Sequence, residues 1–459
     1  MNLPRVIIAG EYKSGFVPPS VLLTAAMKRS GIPLHVFYCG FNPVHVRLLQ
    51  SVAEENITVI NLKTCTNPKI VRTLFETSAK PNKLNIIVCD LGKRGQTTFD
   101  CVIDTTAKDI AATLDCSIIL CCYAENHPRP VVKILKDICA SLESAKDNVR
   151  IDGAVFINPF DLHSFQLVEN NIGINFRWST YGYLPSELEP PIPTIEALSS
   201  ISSYSRETFS IRAIAARIAK MQGQIDYLAL EAIGKYNQAW TPTGGIAILQ
   251  KRTFPKVAII NDIALAGEGN NAELLFKSFG CRVYHVSVNE DIASQNFDMF
   301  YFPDGLGYIA IDSFKLEKNF FATIKRASIN GKIVFANGAS GLIFGDKFIK
   351  PDGSEANGLG IFPVTGNYNN STPFNKPVPV ICVCFKADGL LLQGNEKINA
   401  YMLPNIGLES NSKNLLCSFA DSGNPAGSTG YEENNSILTS VCVDLWSNIE
   451  VVRRILNTV

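Results

Sequence analysis

The sequence is short of histidine, of net charge and of long apolar runs, and each shortage excludes a class of function. Five histidines occur in 459 residues (His35, His45, His127, His163 and His285), and none follows residue 285. The chain beyond that point therefore has no imidazole to serve as a base. Lys+Arg and Asp+Glu both number 42 and no basic run occurs, so there is no electrostatic footprint for nucleic acid. The longest strongly apolar run, residues 116–124, is far shorter than the roughly 20 residues that cross a bilayer. The first ten residues, MNLPRVIIAG, enter a core-type strand directly and lack the pattern of a signal peptide. The expectation is a soluble cytoplasmic protein with no nucleic-acid and no membrane partner.

What is present is the composition of a globular chain. It is 46% hydrophobic and 18% charged, with length for two or three domains, each with a sizeable core. Thirteen cysteines are scattered, several inside apolar runs (Cys89, Cys116, Cys121, Cys122, Cys382 and Cys384), which reads as buried free thiols in a reducing compartment. Cys382 and Cys384 share one strand face, but no histidine or second pair stands nearby. Metal binding through cysteine is excluded on that ground.

Short apolar runs at residues 5–10, 34–38, 58–62, 84–90, 117–122 and 153–157 alternate with amphipathic stretches at 20–28, 69–77 and 131–142. Near-continuous apolar strands separated by helices predict a doubly wound parallel sheet covered on both faces. Residues 181–194 hold four prolines and read as turns. Residues 200–233 read as one or two helices, whose stripe Ile211, Ile214, Ile218, Met221 and Ile225 suits packing. The chain divides into residues 1–235, a linker 236–255 and a second α/β unit 256–459. In that unit, strands are expected at 256–260, 282–286, 299–302 and 332–336, with a helix at 313–329. From residue 358 the pattern turns β-rich, with strands at 378–385, 390–393 and 438–443, and a closing helix at 449–456.

Two stretches have the layout of a site. Residues 332–345, KIVFANGASGLIFG, read as a buried strand, a sharp turn and a helix start. Such an elbow holds one side chain up in an exposed, strained position. Its apex is Gly338-Ala339-Ser340, without a cysteine; Ser340 is the one nucleophile candidate there, with no later histidine to activate it. The other is strand, loop and helix at residues 6–28, the layout of a phosphate-binding loop. Gly10 and Gly15 are in place, but Pro18 and Pro19 stand where a lysine and a hydroxyl residue are needed. Proline has no N–H, and Glu11 adds negative charge; Lys13 is the cation inside the loop. Asp90 ends a buried strand facing that loop, which suits either a Mg2+ ligand or a helix cap.

The order of motifs resembles the cobyrinate a,c-diamide synthase family and its relatives, cobyric acid synthase and dethiobiotin synthetase, over nearly the whole chain. Residues 5–10 with Gly15 are similar to the family's Walker strand and loop, Gly40 to a strand-end glycine, and residues 153–158 to its "G-hydrophobic-N" strand. Gly182-Tyr-Leu-Pro185 matches "GYLP", and residues 256–262 resemble the opening strand of its amidotransferase domain. Phe302-Pro-Asp-Gly305 resembles "LPGG", Gly358-Leu-Gly-Ile-Phe-Pro363 "GLLP", and Ser447-Asn448 "SNPE".

The resemblance implies an N-terminal P-loop NTPase-like (dethiobiotin synthetase-like) doubly wound sheet and a C-terminal class I glutamine amidotransferase-like α/β domain. It implies ATP and Mg2+ as cofactors, with Gly10, Lys13, Gly15 and Ser20 at the nucleotide and Asp90 at the metal. A nucleotide or a corrinoid is the implied small-molecule partner, and a homodimer is an assembly it leaves open. The departures fall on the chemistry. The Walker lysine and threonine become Pro18 and Pro19, and a metal-binding aspartate falls near Asn42. The elbow cysteine falls on Gly338 or Ala339, the "GHEFHY" histidines on Asn395 and Asn399, and the "HLHF" histidines around residues 442–445. Losing a coupled nucleophile and base removes on the order of six decades of rate. The expectation is a pseudoenzyme with no catalytic residues that serves binding or scaffolding. The rival is a divergent ATP-dependent amide ligase that acts in cobalamin synthesis and uses ammonia.

Overall fold

A computed structural model describes residues 2–459 except 14, 41, 94–105, 125–127, 143–148, 158–161, 186–187, 194–196, 198–200, 222–223, 237–238, 266, 306, 308–310, 315, 351–352, 369–377, 385–388, 395, 403–405, 410–414 and 421–424. Asn158, Ser200, Lys315, Phe385 and Asn395, on which expectations above fall, lie outside the described residues.

Seven parallel strands form the first sheet: β1 (Arg5–Tyr12), β2 (Leu34–Cys39), β3 (Thr58–Ile60), β4 (Leu84–Lys93), β5 (Ile118–Tyr123), β6 (Ile151–Ile157) and β7 (Ser179–Leu184), in the order β3-β2-β4-β1-β5-β6-β7. Their runs of Ile, Val, Leu and Cys are buried because helices cover both faces. The central strand β1 leads into α1 (Pro19–Arg29), which puts its loop at the C-terminal edge beside β4 and β5. Strand β7 corrects the turn expected at residues 181–194. Its sequence STYGYL has no apolar run, since as an edge strand it buries only Tyr183 and Leu184. The helix Pro43–Ala53 (α2), started by the Asn42 cap, escaped the sequence reading altogether.

The second sheet has a parallel core of β8 (Lys256–Ile260), β9 (Arg282–Val286), β10 (Met299–Phe302), β11 (Ile333–Ala336) and β20 (Ser436–Thr439). It continues antiparallel through Pro425–Glu433, Leu415–Ala420, Val378–Cys384 and Lys397–Met402 to β21 (Cys442–Val443). The strand expected at 438–443 is thus two strands at separate places in the sheet. The helix expected at 313–329 is a turn, Ile311–Phe314, followed by Lys318–Ile329. No strand forms at 390–393: the amides of Leu390 and Leu391, which a ladder would use, both donate to the Glu432 carboxylate at 2.8 Å.

The two halves meet on a polar seam and share one apolar cluster that includes Ile7, Phe75, Trp240, Phe276 and Trp446. Asn271 exchanges two bonds with the Val59 backbone (2.9 and 2.7 Å), Thr58 Oγ1 donates to Asn270 (2.9 Å), and Thr64 Oγ1 donates to Asp444 (2.5 Å). Asn399 donates to the Thr64 carbonyl at 2.6 Å.

Candidate functional site

The loop after β1 is closed by the chain itself. Val17 N donates to the Pro190 carbonyl at 3.0 Å, Ile192 N donates to the Gly15 carbonyl at 2.8 Å, and Phe16 forms an antiparallel bridge with Pro191. An amide that would face an anion is thereby used, and Pro18 and Pro19 have none to offer. Pro18 caps α1 without any side-chain bond. Lys13 does not stand free. Its ammonium is 3.7 Å from the Glu189 carboxylate and 4.0 Å above the Tyr123 ring.

Three carboxylates mark the neighbourhood. Glu11 is buried and accepts the Tyr123 amide at 2.9 Å. Glu189 is almost enclosed and leaves Oε1 without a partner. Asp90 lies beside Gly10 in the sheet; its Oδ2 accepts from Tyr38 (2.8 Å) and contacts His45 Nδ1 (3.0 Å), while Oδ1 is buried and unpartnered. Ser20 is fully buried with its hydroxyl unpartnered, pressed against Gly10, where an added Cβ would come within 2.9 Å. Asn42 acts as a cap, its Oδ1 accepting the Val44 amide at 3.0 Å. Gly10, Lys13, Gly15, Ser20 and Asp90 are therefore brought to one sheet edge, but with more negative than positive charge. Among the described residues no three acidic, His or Cys side chains are placed to hold a metal ion.

The elbow after β11 differs from its expectation in one respect that decides its chemistry: it is buried. Residues 338–344 form a 3-10 turn with no exposed member, followed by a strand, Gly345–Ile349, rather than a long helix. Ser340 has no exposed surface and donates to the Pro303 carbonyl at 2.5 Å. Gly338 takes φ +65°, and a Cβ there would fall 2.0 Å from Asp304 Oδ1. The same oxygen accepts the Ala339 amide at 2.8 Å, and Tyr401 donates to Asp304 Oδ2 at 2.9 Å. The amide after an elbow's apex is the donor that would hold a developing oxyanion. Here a resident carboxylate occupies it.

Behind Asp304 lies a polar cluster that the sequence reading did not single out. Glu268 accepts from Tyr301 (2.7 Å) and from Asn337 (2.9 Å), and the Cys442 thiol sits 3.7 Å from it. Burial, reinforced by the Asp304 charge, pushes the Glu268 carboxyl up to about 7 against its ordinary 4.5. Burial also raises Asp304, and raises the Cys442 thiol well above its usual range, with Asp304 and Glu268 adding to it. Such a thiol stays protonated and is a poor nucleophile. The one visible signal was Asp304 itself, a carboxylate between proline and glycine directly after a buried apolar strand.

Glu268 makes stability depend on pH. Between pH 4.5 and about 7 the folded protein keeps a proton that the unfolded chain has released. Stability therefore falls as pH rises through that window, by at most about 1.4 kcal/mol per unit from this group. Urea unfolding at pH 5, 6, 7 and 8 should show a shallower decline for Glu268→Gln. Equal slopes in the two proteins would show that Glu268 does not titrate there.

No family model matches the sequence, and no curated protein matches it. Among solved structures, the chain is similar to a glutamine amidotransferase of Thermotoga maritima, with 6% identity, 45% of this chain and 83% of that one covered, and a TM-score of 0.30. It is also similar to chloroplast FtsY of Physcomitrella patens, with 9% identity, 46% of this chain and 65% of that one covered, and a TM-score of 0.27. Each overlap spans less than half of this chain. The strand orders given above make each half an α/β unit built on a parallel sheet core. Among the described residues no helix is long and apolar enough to cross a membrane.

Proposed function

We propose that the chain is a cobyrinate a,c-diamide synthase-like protein that has lost glutaminase and ATP-ligase chemistry and serves as a binding or scaffolding protein. The observation that carries this reading is Asp304, whose carboxylate takes the Ala339 amide and fills the space above Gly338. A glutamine carbonyl arriving there would find neither nucleophile nor oxyanion donor, and a carboxylate would oppose the developing charge. The closed loop after β1 supports the second half of the reading. Phosphoryl transfer depends on positive charge and free amides at the phosphates, whereas Lys13 is paired with Glu189 and Val17 N with Pro190.

Assays of the full chain for glutamate release from glutamine, and for ATP hydrolysis with Mg2+, ammonia and a corrinoid acid, should both stay at background. Glutamine-dependent ammonia release would overturn the first part of the proposal. Amide formation from ammonia that disappears in Asp90→Ala would establish the rival reading, a divergent ligase of cobalamin synthesis that uses ATP and Mg2+. Corrinoid binding without turnover would make the binding role specific.

A further inference from the structure

A row of polar groups crosses from the first half into the second. Lys83 Nζ faces the Glu55 carboxylate at 3.3 Å, and Glu55 Oε1 meets His35 Nδ1 at 2.9 Å. His35 Nε2 meets the Ser78 hydroxyl at 3.0 Å, Ser78 Oγ lies 2.6 Å from Thr58 Oγ1, and Thr58 Oγ1 lies 2.9 Å from Asn270 Oδ1. His35, Ser78 and Thr58 are all buried, so each contact depends on a proton from within the row. Asn270 is the N-cap of the helix Asn271–Ser278, a place where asparagine ordinarily caps. Its side chain makes no capping bond and is turned to Thr58 instead.

The number of protons decides which way the row runs. Three contacts link His35 to Asn270, and each needs one proton. Burial raises the Glu55 carboxyl, but the hydrogen bond and charge of His35, with Lys83, outweigh burial and hold it below its ordinary range. An ionised carboxylate only accepts, so it keeps a proton on His35 Nδ1. With a second proton on Nε2, His35 donates to Ser78, Ser78 to Thr58 and Thr58 to Asn270 Oδ1, and the row is complete. When Nε2 is bare, two hydroxyl protons remain for three contacts. The row then closes only in the opposite sense, with the Asn270 amide turned over: Nδ2 donates to Thr58, Thr58 to Ser78 and Ser78 to Nε2. The two states differ by one proton, exchanged with solvent. We propose that this row is a proton-operated switch across the seam, in which the charge on His35 sets which end of the Asn270 amide meets Thr58. The charged groups facing His35 are Glu55, from the turn after α2, and Lys83 behind it, from the turn before β4. Ser78 and the Phe37 ring, whose centre lies 5.1 Å from that of the imidazole, are its neutral neighbours. The switch does not depend on whether either half retains chemistry.

Magnetic resonance of the full chain, isotope-labelled in histidine and asparagine, follows the two ends of the row separately. The His35 ring signals, identified by their loss in His35→Gln, should titrate between about pH 5 and pH 9. The Asn270 side-chain amide signals, identified by their loss in Asn270→Ala, should shift with the same midpoint. Thr58→Val removes the middle link; His35 should still titrate there, and the Asn270 signals should become flat with pH. Asn270→Asp puts only acceptors at the far end. It should therefore favour the charged state and raise the His35 midpoint by about one pH unit, most of which should vanish when Thr58→Val is added. If Thr58→Val does not fold, Ser78→Ala cuts the row one link earlier. Three outcomes would each overturn the proposal: an Asn270 amide that ignores pH while His35 titrates, a His35 whose protonation does not change across the range, or Asn270 signals that still follow His35 after the row is cut. None of these readouts involves glutamine or ATP turnover.

Discussion

Replacing Gly338 with cysteine, which puts a thiol at the elbow's apex, is expected to destabilise the second half by roughly 2–6 kcal/mol and to create no glutaminase. The magnitude combines two costs. A non-glycine residue held at φ +65° costs about 1–3 kcal/mol, and forcing an atom into a packed site costs about 1–3 more. The clash cannot be relieved cheaply. An added Cβ would lie 2.0 Å from Asp304 Oδ1 and 2.4 Å from Cγ, and that carboxylate is anchored by Ala339 N and Tyr401. Urea unfolding followed by Trp446 fluorescence would measure the loss. A companion change tests the cause: Asp304→Ala combined with Gly338→Cys should recover part of it, a coupling of about 1–3 kcal/mol. Additive effects of the two changes would show that Asp304 is not what excludes the side chain. Even the combined variant should release no glutamate, because the chain has no histidine after residue 285 to serve as base. Measurable glutaminase in either variant would refute the reading of this elbow as a retained turn.

The architecture was legible because it rests on apolar periodicity. Runs such as Ile86–Val88 and Ile118–Leu120 are buried in the sheet interior, and burial on both faces is what produces a continuous apolar run. Where burial is one-sided the signal failed, as in the edge strand STYGYL. Apolarity alone misled at Leu390–Leu392, where Leu391 and Leu392 are buried without pairing and Glu432 takes the amides of Leu390 and Leu391. The site was legible only in part. Gly338 and the prolines at 18 and 19 stood out in the sequence, but not the groups that surround them. Asp304, Glu268, Tyr401 and Cys442 are far apart in sequence and meet because the segments after β8 and β10 and the strands β16 (Lys397–Met402) and β21 come together around Asn337 at the end of β11. Glu189 reaches Lys13 only because residues 189–192 fold back over the loop. No spacing rule reports such long-range returns.

Arg5→Ala is the second large effect expected, about 3–5 kcal/mol lost from the first half, the cost typical of breaking a buried charged network. Arg5 is 1% exposed, and its guanidinium donates to the carbonyls of Leu114 (2.6 Å), Leu3 (3.0 Å) and Asp115 (2.8 Å). Burial lowers its pKa, yet the nearby Asp115 and the carbonyl ring keep the charged form in place. The same group lies 5.2 Å from the centre of the Trp240 ring, which Arg72 contacts at 4.0 Å. Trp240 belongs to the segment 236–255 that composition marks as a linker, but it is buried and donates to Glu76 at 3.2 Å. Glu76 also accepts from the Thr243 amide and hydroxyl, both at 2.8 Å. Residues 240–243 therefore form a strut fixed to the first half, and Arg5 ties it to the first strand. Arg5→Met, which fills similar space without donors, should lose less than Arg5→Ala because the indole keeps a packing partner. A cost below about 1 kcal/mol for Arg5→Ala, the level of an exposed pair, would show that the strut is held by packing alone.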